Sequence, residues 1–326
     1  MKKIGILFGQ ENNFPNALAE KINQKNSSGI CAKLIKIDKL IQSEPAGYDV
    51  ILDRISHDVP FYRAMLKNAA LMGTAVVNNP FYLSLEEKFM ANVVAEKIGV
   101  PVPKTVLIPS HQLPPDTSEN SFRNMVMPWD WKTIFAYVGF PAYMKPHAGG
   151  GWKSVSKINN AEEFFAAHKT TGQLVMLLQE AIDFEAYFRC YCIGQTDVCI
   201  MSYEPRNIHH LRYNASFSID EKIIEQIKEN AIKLNMALGY DFNTVEFAIR
   251  DGIPYCIDFT NPAPDCEPES VGRENFEWVL NAAANMLIRK AQNHREGCDN
   301  LTWGTFLKEA ITGKIISEEK TEKVIA

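Results

Sequence analysis

The chain has 326 residues, enough for a substantial core and for two or three domains. Apolar residues make up 46% and charged residues 22%, an ordinary globular balance. A net charge of −5 with no long Lys/Arg run argues against nucleic-acid partners, and no apolar run reaches the length of a membrane span.

The opening MKKIGILFGQENN turns polar too soon for a signal-peptide core, so the expected location is the cytoplasm. Residues 2–8 read as a first strand, and Phe14-Pro15 opens a helix to about Lys25. Two further strands follow at 31–38 and 48–54, then a helix from Asp58 that turns Phe61, Met65, Leu66, Ala69 and Met72 to one side. A short strand at 74–77 completes the set. Strands alternating with helices predict a parallel sheet. Gly5 and Gly9 do not supply the glycine spacing of a dinucleotide fold. Asp53, Arg54 and His57 follow the third strand, where open α/β sheets collect ligands. They read equally as a surface Asp–Arg pair.

Ser84 and Glu87 form a capping box before the helix FMANVVAEKIG. Lys88 sits in its first turn against the helix dipole, so either solvent screens it or an anion answers it. Residues 109–128 are Pro- and Ser-rich and lead into Met125, Met127, Trp129 and Trp131, an irregular insertion whose apolar end packs on the body. Two short strands then flank His147 to Trp152, with Lys145 closing the first. Gly149, Gly150 and Gly151 let backbone N–H groups approach a phosphate chain, and Lys145 adds point charge. The other reading is a flexible turn.

Asn160 with Glu163 caps a helix to about Lys169, and a strand ends at Glu180. Cys190, Cys192 and Cys199 lie in apolar strand-like runs. They read as reduced core residues, with a thiolate metal site as the alternative; none of the seven cysteines forms a CxxC pair. Arg206, His209, His210 and Arg212 make a loop dense in cations, either solvated or a clamp on a transferring phosphate. Ser218 with Glu221 caps a long helix carrying Ile223, Ile227, Ala231, Leu234 and Leu238 on one face.

The stretch 241–265 carries the chemistry. Val245, Phe247 and Ile249 alternate with Thr244, Glu246 and Ala248, and a second strand follows Asp251-Gly252. A two-residue loop would set Glu246 opposite Ile257 and mix the faces. A three-residue loop, Arg250 to Gly252, pairs Val245 with Ile257 and Phe247 with Tyr255, keeps one face apolar, and sets Glu246 against Cys256 with Asp258 diagonal to it. Two carboxylates on one face, with Asn261 just beyond, suit one or two Mg²⁺ ions. The plain alternative is a solvated hairpin face. A last helix runs from about Arg273 to Arg289, and the tail from Ser317 is polar.

In this order the motifs resemble the ATP-grasp superfamily, and within it the carboxylate–amine ligase branch of glutathione synthetase and the ribosomal-protein-S6 glutamate ligases. The resemblance implies an N-terminal Rossmann-like parallel-sheet domain (1–83) followed by an ATP-grasp fold of two α+β subdomains (84–183 and 184–316), with 317–326 a tail. It implies ATP and Mg²⁺ as cofactors, with Mn²⁺ as a substitute. Lys88 and Lys145 resemble the two nucleotide lysines, and Gly149, Gly150 and Gly151 the flap. Glu180, Ala181 and Ile182 resemble the hinge that meets adenine, and Glu185 (or Asp183) the ribose acid. Arg212 resembles the arginine on the transferring phosphoryl, and Glu246, Asp258 and Asn261 the metal ligands. The family's last metal motif is Glu-x-Asn; here one more residue separates Asp258 from Asn261, so either a bulge returns Asn261 or Thr260 takes its place. The implied reaction joins a small-molecule carboxylate to an amine. A small-molecule kinase and a nucleotide-binding protein without turnover are the alternatives. The sequence does not identify the two substrates or an oligomeric state.

Overall fold

A computed structural model of the chain describes residues 1–25, 29–81, 87–214 and 216–295. Ser84, and with it half of the expected capping box, lies outside them, as does the tail from Ser317. Three four-stranded sheets organise the chain. The first is parallel, in the order β2-β1-β3-β4, from β1 (Lys2–Leu7), β2 (Ile30–Leu34), β3 (Val50–Asp53) and β4 (Ala75–Val77). Helices α1 (Phe14–Lys25) and α2 (Pro60–Leu71) cover its two faces. The α2 face is narrower than its sequence suggests. Pro60 stands at the helix start and Phe61 is half exposed, leaving Met65, Leu66 and Ala69 inward.

Helix α3 (Lys88–Lys97) leads to the second sheet, antiparallel throughout, in the order β5-β8-β6-β7. Its strands are β5 (Thr105–Ile108), β6 (Ala142–Pro146), β7 (Ser156–Ile158) and β8 (Met176–Glu180). Helices α4 (Trp131–Val138) and α5 (Ala161–Thr170) pack on one face, capped by Asp130 and Asn160. The insertion before α4 attaches at both ends: Gln112 N–H donates to the Gly172 carbonyl and Gln173 Nε2 to the Leu113 carbonyl, and Trp131 joins a cluster with Phe135, Phe164 and Phe165, while Val126 and Met127 stay exposed.

The third sheet is antiparallel, in the order β10-β9-β11-β12, from β9 (Ala186–Ile193), β10 (Asp197–Ser202), β11 (Phe242–Arg250) and β12 (Ile253–Asp258). Helix α6 (Glu221–Leu238) and α3 bury Ala186, Phe188, Cys190, Val245, Phe247 and Ile249 on one face. The cap of α6 is Asp220, which accepts from Lys222 N–H, not the expected Ser218. A four-residue turn, α7 (Pro268–Val271), precedes α8 (Arg273–Asn293). That last helix returns to the N-terminal sheet, so Val279, Ala283 and Leu287 share one core with Ile4, Leu18 and Phe242.

Candidate active site

The β11–β12 hairpin overturns the expected register. Its loop is the two-residue Asp251-Gly252, both residues at positive φ (54° and 72°), the geometry of a type I′ turn that matches strand twist. Cys256 therefore pairs with Phe247 and is fully buried beneath α6, while Tyr255 lies on the opposite face and packs with Ala248 against Ile182, Tyr187 and Tyr203. A mixed face is avoided by a bulge: Phe247 pairs with Cys256 but Glu246 pairs with Asp258, so Ile257 is the extra residue. That one residue flips Asp258 onto the face of Glu246. The acids are direct cross-strand partners rather than diagonal ones.

The bulge also has a use. Lys145 Nζ, arriving from the end of β6, donates to the Ile257 carbonyl at 3.3 Å. Lys88 Nζ reaches Asp258 Oδ1 at 2.8 Å, and its backbone N–H donates to the His147 carbonyl. The cation that opposes the α3 dipole is thus answered by a carboxylate. Lys88, Lys145, Asp258 and Thr260 line one small pocket with Asn92. Thr260 rather than Asn261 is the residue beside Asp258 there, and the Asn261 N–H is spent on Asn243 Oδ1.

Electrostatics separate the two acids. Burial raises the Glu246 carboxyl above its ordinary range, reinforced by Asp258 and opposed by Arg189 and the Tyr187 hydroxyl. Asp258 is subject to the same burial effect, yet Lys88, Lys145 and Arg189 hold it below the ordinary value. Burial pushes the Lys145 ammonium down to about 8, with Lys88 adding to it against Asp258 and Glu246. This is a site that would welcome further negative charge next to its lysines and a cation between its acids.

On the other side of Glu246 stands Arg189 of β9, its register partner. The guanidinium Nε is 3.6 Å from Glu246 Oε1; Nη1 donates to Tyr213 Oη at 3.0 Å and Nη2 to Thr244 Oγ1 at 3.4 Å. Tyr187 Oη donates to Glu246 Oε2 at 2.6 Å. Arg189, Tyr187 and Tyr213 did not stand out in the sequence. The available signal was a charged residue in the middle of the apolar strand AYFRCYCI, which must find a partner when buried.

Around this centre the other expected residues fall as follows. Gly149 and Gly151 adopt φ of 94° and 72°, and a side chain at Gly149, Gly150 or Gly151 would meet nothing within 4 Å, so backbone conformation and not crowding calls for glycine. Just beyond them the Trp152 ring lies 5.7 Å from the Arg212 guanidinium. Arg212 donates to the Asn207 carbonyl (3.1 Å) and Tyr203 Oη (3.3 Å), both neutral oxygens. Arg206 is instead locked to Glu204, and the His209 and His210 side chains lie outside the described residues. Glu180 is ion-paired with Arg250 at 2.8 Å, and the Ala181 N–H donates to the Pro141 carbonyl. Ile182 is buried, and Glu185 approaches the Asp251 N–H at 3.4 Å.

One alternative, the Asp53–Arg54 surface pair, needs correction. Asp53 and Arg54 form no pair: Asp53 accepts from Ile55 and Ser56 in its own turn, while Arg54 is buried against Glu11 and the Pro264 carbonyl. The cysteines form no metal centre among the described residues, where no group of three or more His, Cys, Asp or Glu gathers. Burial raises the thiols of Cys190, Cys192 and Cys199, which favours the protonated core form. No described helix is long and apolar enough to cross a membrane.

No protein-family model matches the chain, and no curated protein does. Solved structures do. A RimK-domain ATP-grasp protein from Sphaerobacter thermophilus superposes with a TM-score of 0.62 at 17% identity, over 88% of this chain and 99% of that one. D-alanine–D-alanine ligase from Bacillus anthracis, complexed with ATP, gives 0.61 at 13% identity over 90% and 98%. The VanG D-Ala:D-Ser ligase of Enterococcus faecalis gives 0.63 at 15% over 89% and 99%. The likeness is one of fold: the chain has the ATP-grasp architecture expected from its motifs.

Proposed function

We propose that the protein is an ATP-dependent ligase that activates a substrate carboxylate as an acylphosphate and joins it to an amine, releasing ADP and phosphate. The observation that carries this is the meeting of Lys88, Lys145 and Asp258 from three separate elements around one pocket, with Glu246 of a fourth paired across the strands to Asp258. The solved ligases of the same fold point the same way.

Lys88 and Lys145 would hold the phosphates, and the glycines Gly149, Gly150 and Gly151 would close over them. Glu180, Ala181 and Ile182 would meet adenine, and Glu185 the ribose. Glu246 and Asp258, completed by Thr260 or Asn261, suit Mg²⁺: two carboxylates and a neutral oxygen are too few donors for a protein-only site but fit an ion shared with phosphates and water. Such an ion would supply charge neutralisation of the β- and γ-phosphoryl oxygens. Arg212, whose hydrogen-bond partners among the described residues are neutral oxygens, would approach the transferring group from the rim. No residue need act as a nucleophile, because the substrate carboxylate is one. The residues position, exclude water and balance charge.

The test is a screen of amino acids and dipeptides for ADP release, with mass spectrometry of the product. With the right carboxylate and no amine, hydroxylamine should trap a hydroxamate. AMP and pyrophosphate among the products would rule the acylphosphate route out. A stable phosphate ester without hydroxamate would identify a kinase instead.

A further inference from the structure

Three registers place four residues in one line across the third sheet: Asp258 of β12 opposite Glu246 of β11, Glu246 opposite Arg189 of β9, and Arg189 opposite Met201 of β10. With Lys88 on Asp258, the charges read cation, acid, acid, cation. Strands are spaced about 4.8 Å apart, so the line from Asp258 to Arg189 is about 10 Å long. One end faces the lysines. The other ends at Arg189, whose side chain is only 12% exposed.

Arg189 is under-neutralised. Its nearest acid stands 3.6 Å away, and Nε, though buried, makes no hydrogen bond. Nη1 and Nη2 are aimed by uncharged hydroxyls, and the guanidinium lies 5.6 Å from the Tyr203 ring centre. A guanidinium cannot discharge by losing a proton. If Glu246 turns to a metal, Arg189 loses its nearest carboxylate and needs another anion. In-line phosphoryl transfer requires the attacking oxygen on the side of the phosphorus opposite the leaving ADP. With phosphates on Lys88 and Lys145, that side is the Arg189 end.

We infer that Arg189 exchanges counter-ions during the cycle: it pairs with Glu246 in the empty site and takes the carboxylate of the acceptor substrate in the loaded one. This rests on the ligase reading above and adds a residue and a subsite to it. In the step concerned, a carboxylate oxygen on Arg189 forms a bond to the γ-phosphorus. The bond from that phosphorus to the β–γ bridging oxygen breaks, and its electron pair leaves with ADP. Total charge is unchanged. A second consequence follows for the empty protein. Lys88 and Arg189 already occupy the two acids, so a free divalent ion must displace both, and the site admits metal well only with a nucleotide.

The experiment titrates Mn²⁺ alone, without nucleotide, into wild type and Arg189→Gln, and measures KM for ATP and for the carboxylate separately. Removing the competing cation should tighten Mn²⁺ binding about tenfold, since a charge at this distance acts strongly in a half-buried site. The KM of the carboxylate should rise at least as much, with that of ATP unchanged. A residue that merely braces the sheet would not increase metal affinity. Arg189→Lys, which keeps the charge but not the planar fork, should leave Mn²⁺ binding near wild type and still raise the carboxylate KM. It decides the matter if the Gln variant does not fold. Unchanged Mn²⁺ affinity in Arg189→Gln, or equal rises in both KM values, overturns the proposal. If wild type phosphorylates no carboxylate, the ligase reading fails, and the Mn²⁺ titration alone still decides whether Arg189 competes for Glu246.

Discussion

Two arginines buried in this protein look alike and differ in what surrounds them. Arg54, at the carboxyl end of the parallel sheet, forms a fork with Glu11 through Nε and Nη2, adds the Pro264 carbonyl, and lies between the rings of Phe14 and Phe242 at 5.1 and 5.0 Å. Arg189, in the middle of the antiparallel sheet, has a ring too, but its acid is at 3.6 Å and its other contacts are hydroxyls. The Arg54 pair is closed by geometry and ties the N-terminal sheet to the loop after the hairpin. The Arg189 pair is held apart, with an acid that has a second acid opposite it. Burial alone does not distinguish a fastening from a reagent. What distinguishes them is whether the partner has another claimant.

The comparison breaks most sharply at the two glutamates. Glu246→Gln should cost turnover about 10³-fold, the scale of losing a charged group from phosphoryl-transfer machinery. Glu11→Gln should leave turnover per folded molecule near wild type and lower the melting temperature instead. Steady-state ADP release beside a thermal melt reads both. Near-normal turnover in Glu246→Gln would mean that Glu246 only braces the sheet through Tyr187 and Arg189.

Stability should follow the opposite order at the arginines. Arg54→Met strands Glu11 in a buried setting, and breaking one side of a buried pair costs about 3–5 kcal/mol. Arg189→Met should cost less, because Glu246 already sits above the ordinary carboxyl range and can take up a proton where Arg189 is missing. Denaturant unfolding of the two variants ranks them. A larger loss for Arg189→Met would make it the fastening.

How much of this was legible in the sequence depended on the range of the interaction. The parallel sheet, the Asn160 cap and the inward face of α6 follow local periodicity and capping, and the structure has them. The hairpin register does not, because face-matching alone takes no account of a bulge; Asp251-Gly252 favours a two-residue turn strongly enough to put Cys256 in the core and displace Ile257. Arg54 has Asp53 beside it in sequence, but its partner Glu11 is 43 positions away. Arg189 carries no local signal of its role, which is set by Glu246, 57 positions later and one strand over. Contacts made by topology leave no spacing to find.

Lys145 sharpens the comparison from another side, since it is a cation that can titrate where the arginines cannot. Its pKa is pushed down to about 8 from an ordinary 10.5. A bound polyphosphate favours the charged form, so nucleotide affinity should be steady below that pH and fall as pH rises through it. Binding near pH 8 to 9 should then take up a proton, visible by calorimetry in buffers of different ionisation enthalpy. Lys145→Arg should flatten the profile. A profile equally steep in that variant would move the titrating group elsewhere.

The smallest effect belongs to the contact of Trp152 with Arg212, which extends the series: Arg54 has a close acid, Arg189 a distant one, and Arg212, among the described residues, neutral oxygens and the half-exposed Trp152. A cation over an exposed ring is worth about 0.5–1 kcal/mol, a factor of about two to five in an equilibrium. The two residues come from the β6–β7 loop and the segment after β10, so the contact bridges flap and rim. Trp152→Ala should therefore leave the melt unmoved and raise the KM for ATP by no more than that factor. It should also make the glycine loop easier to cut by protease when nucleotide and Mg²⁺ are present, because one of the contacts holding it shut is gone. Arg212→Ala removes the same contact and a charge facing the phosphates as well. If the ring is only a latch, Arg212→Ala must lower the rate well beyond Trp152→Ala; equal losses would reduce Arg212 to the same latch and leave Arg189 as the arginine at the reaction centre.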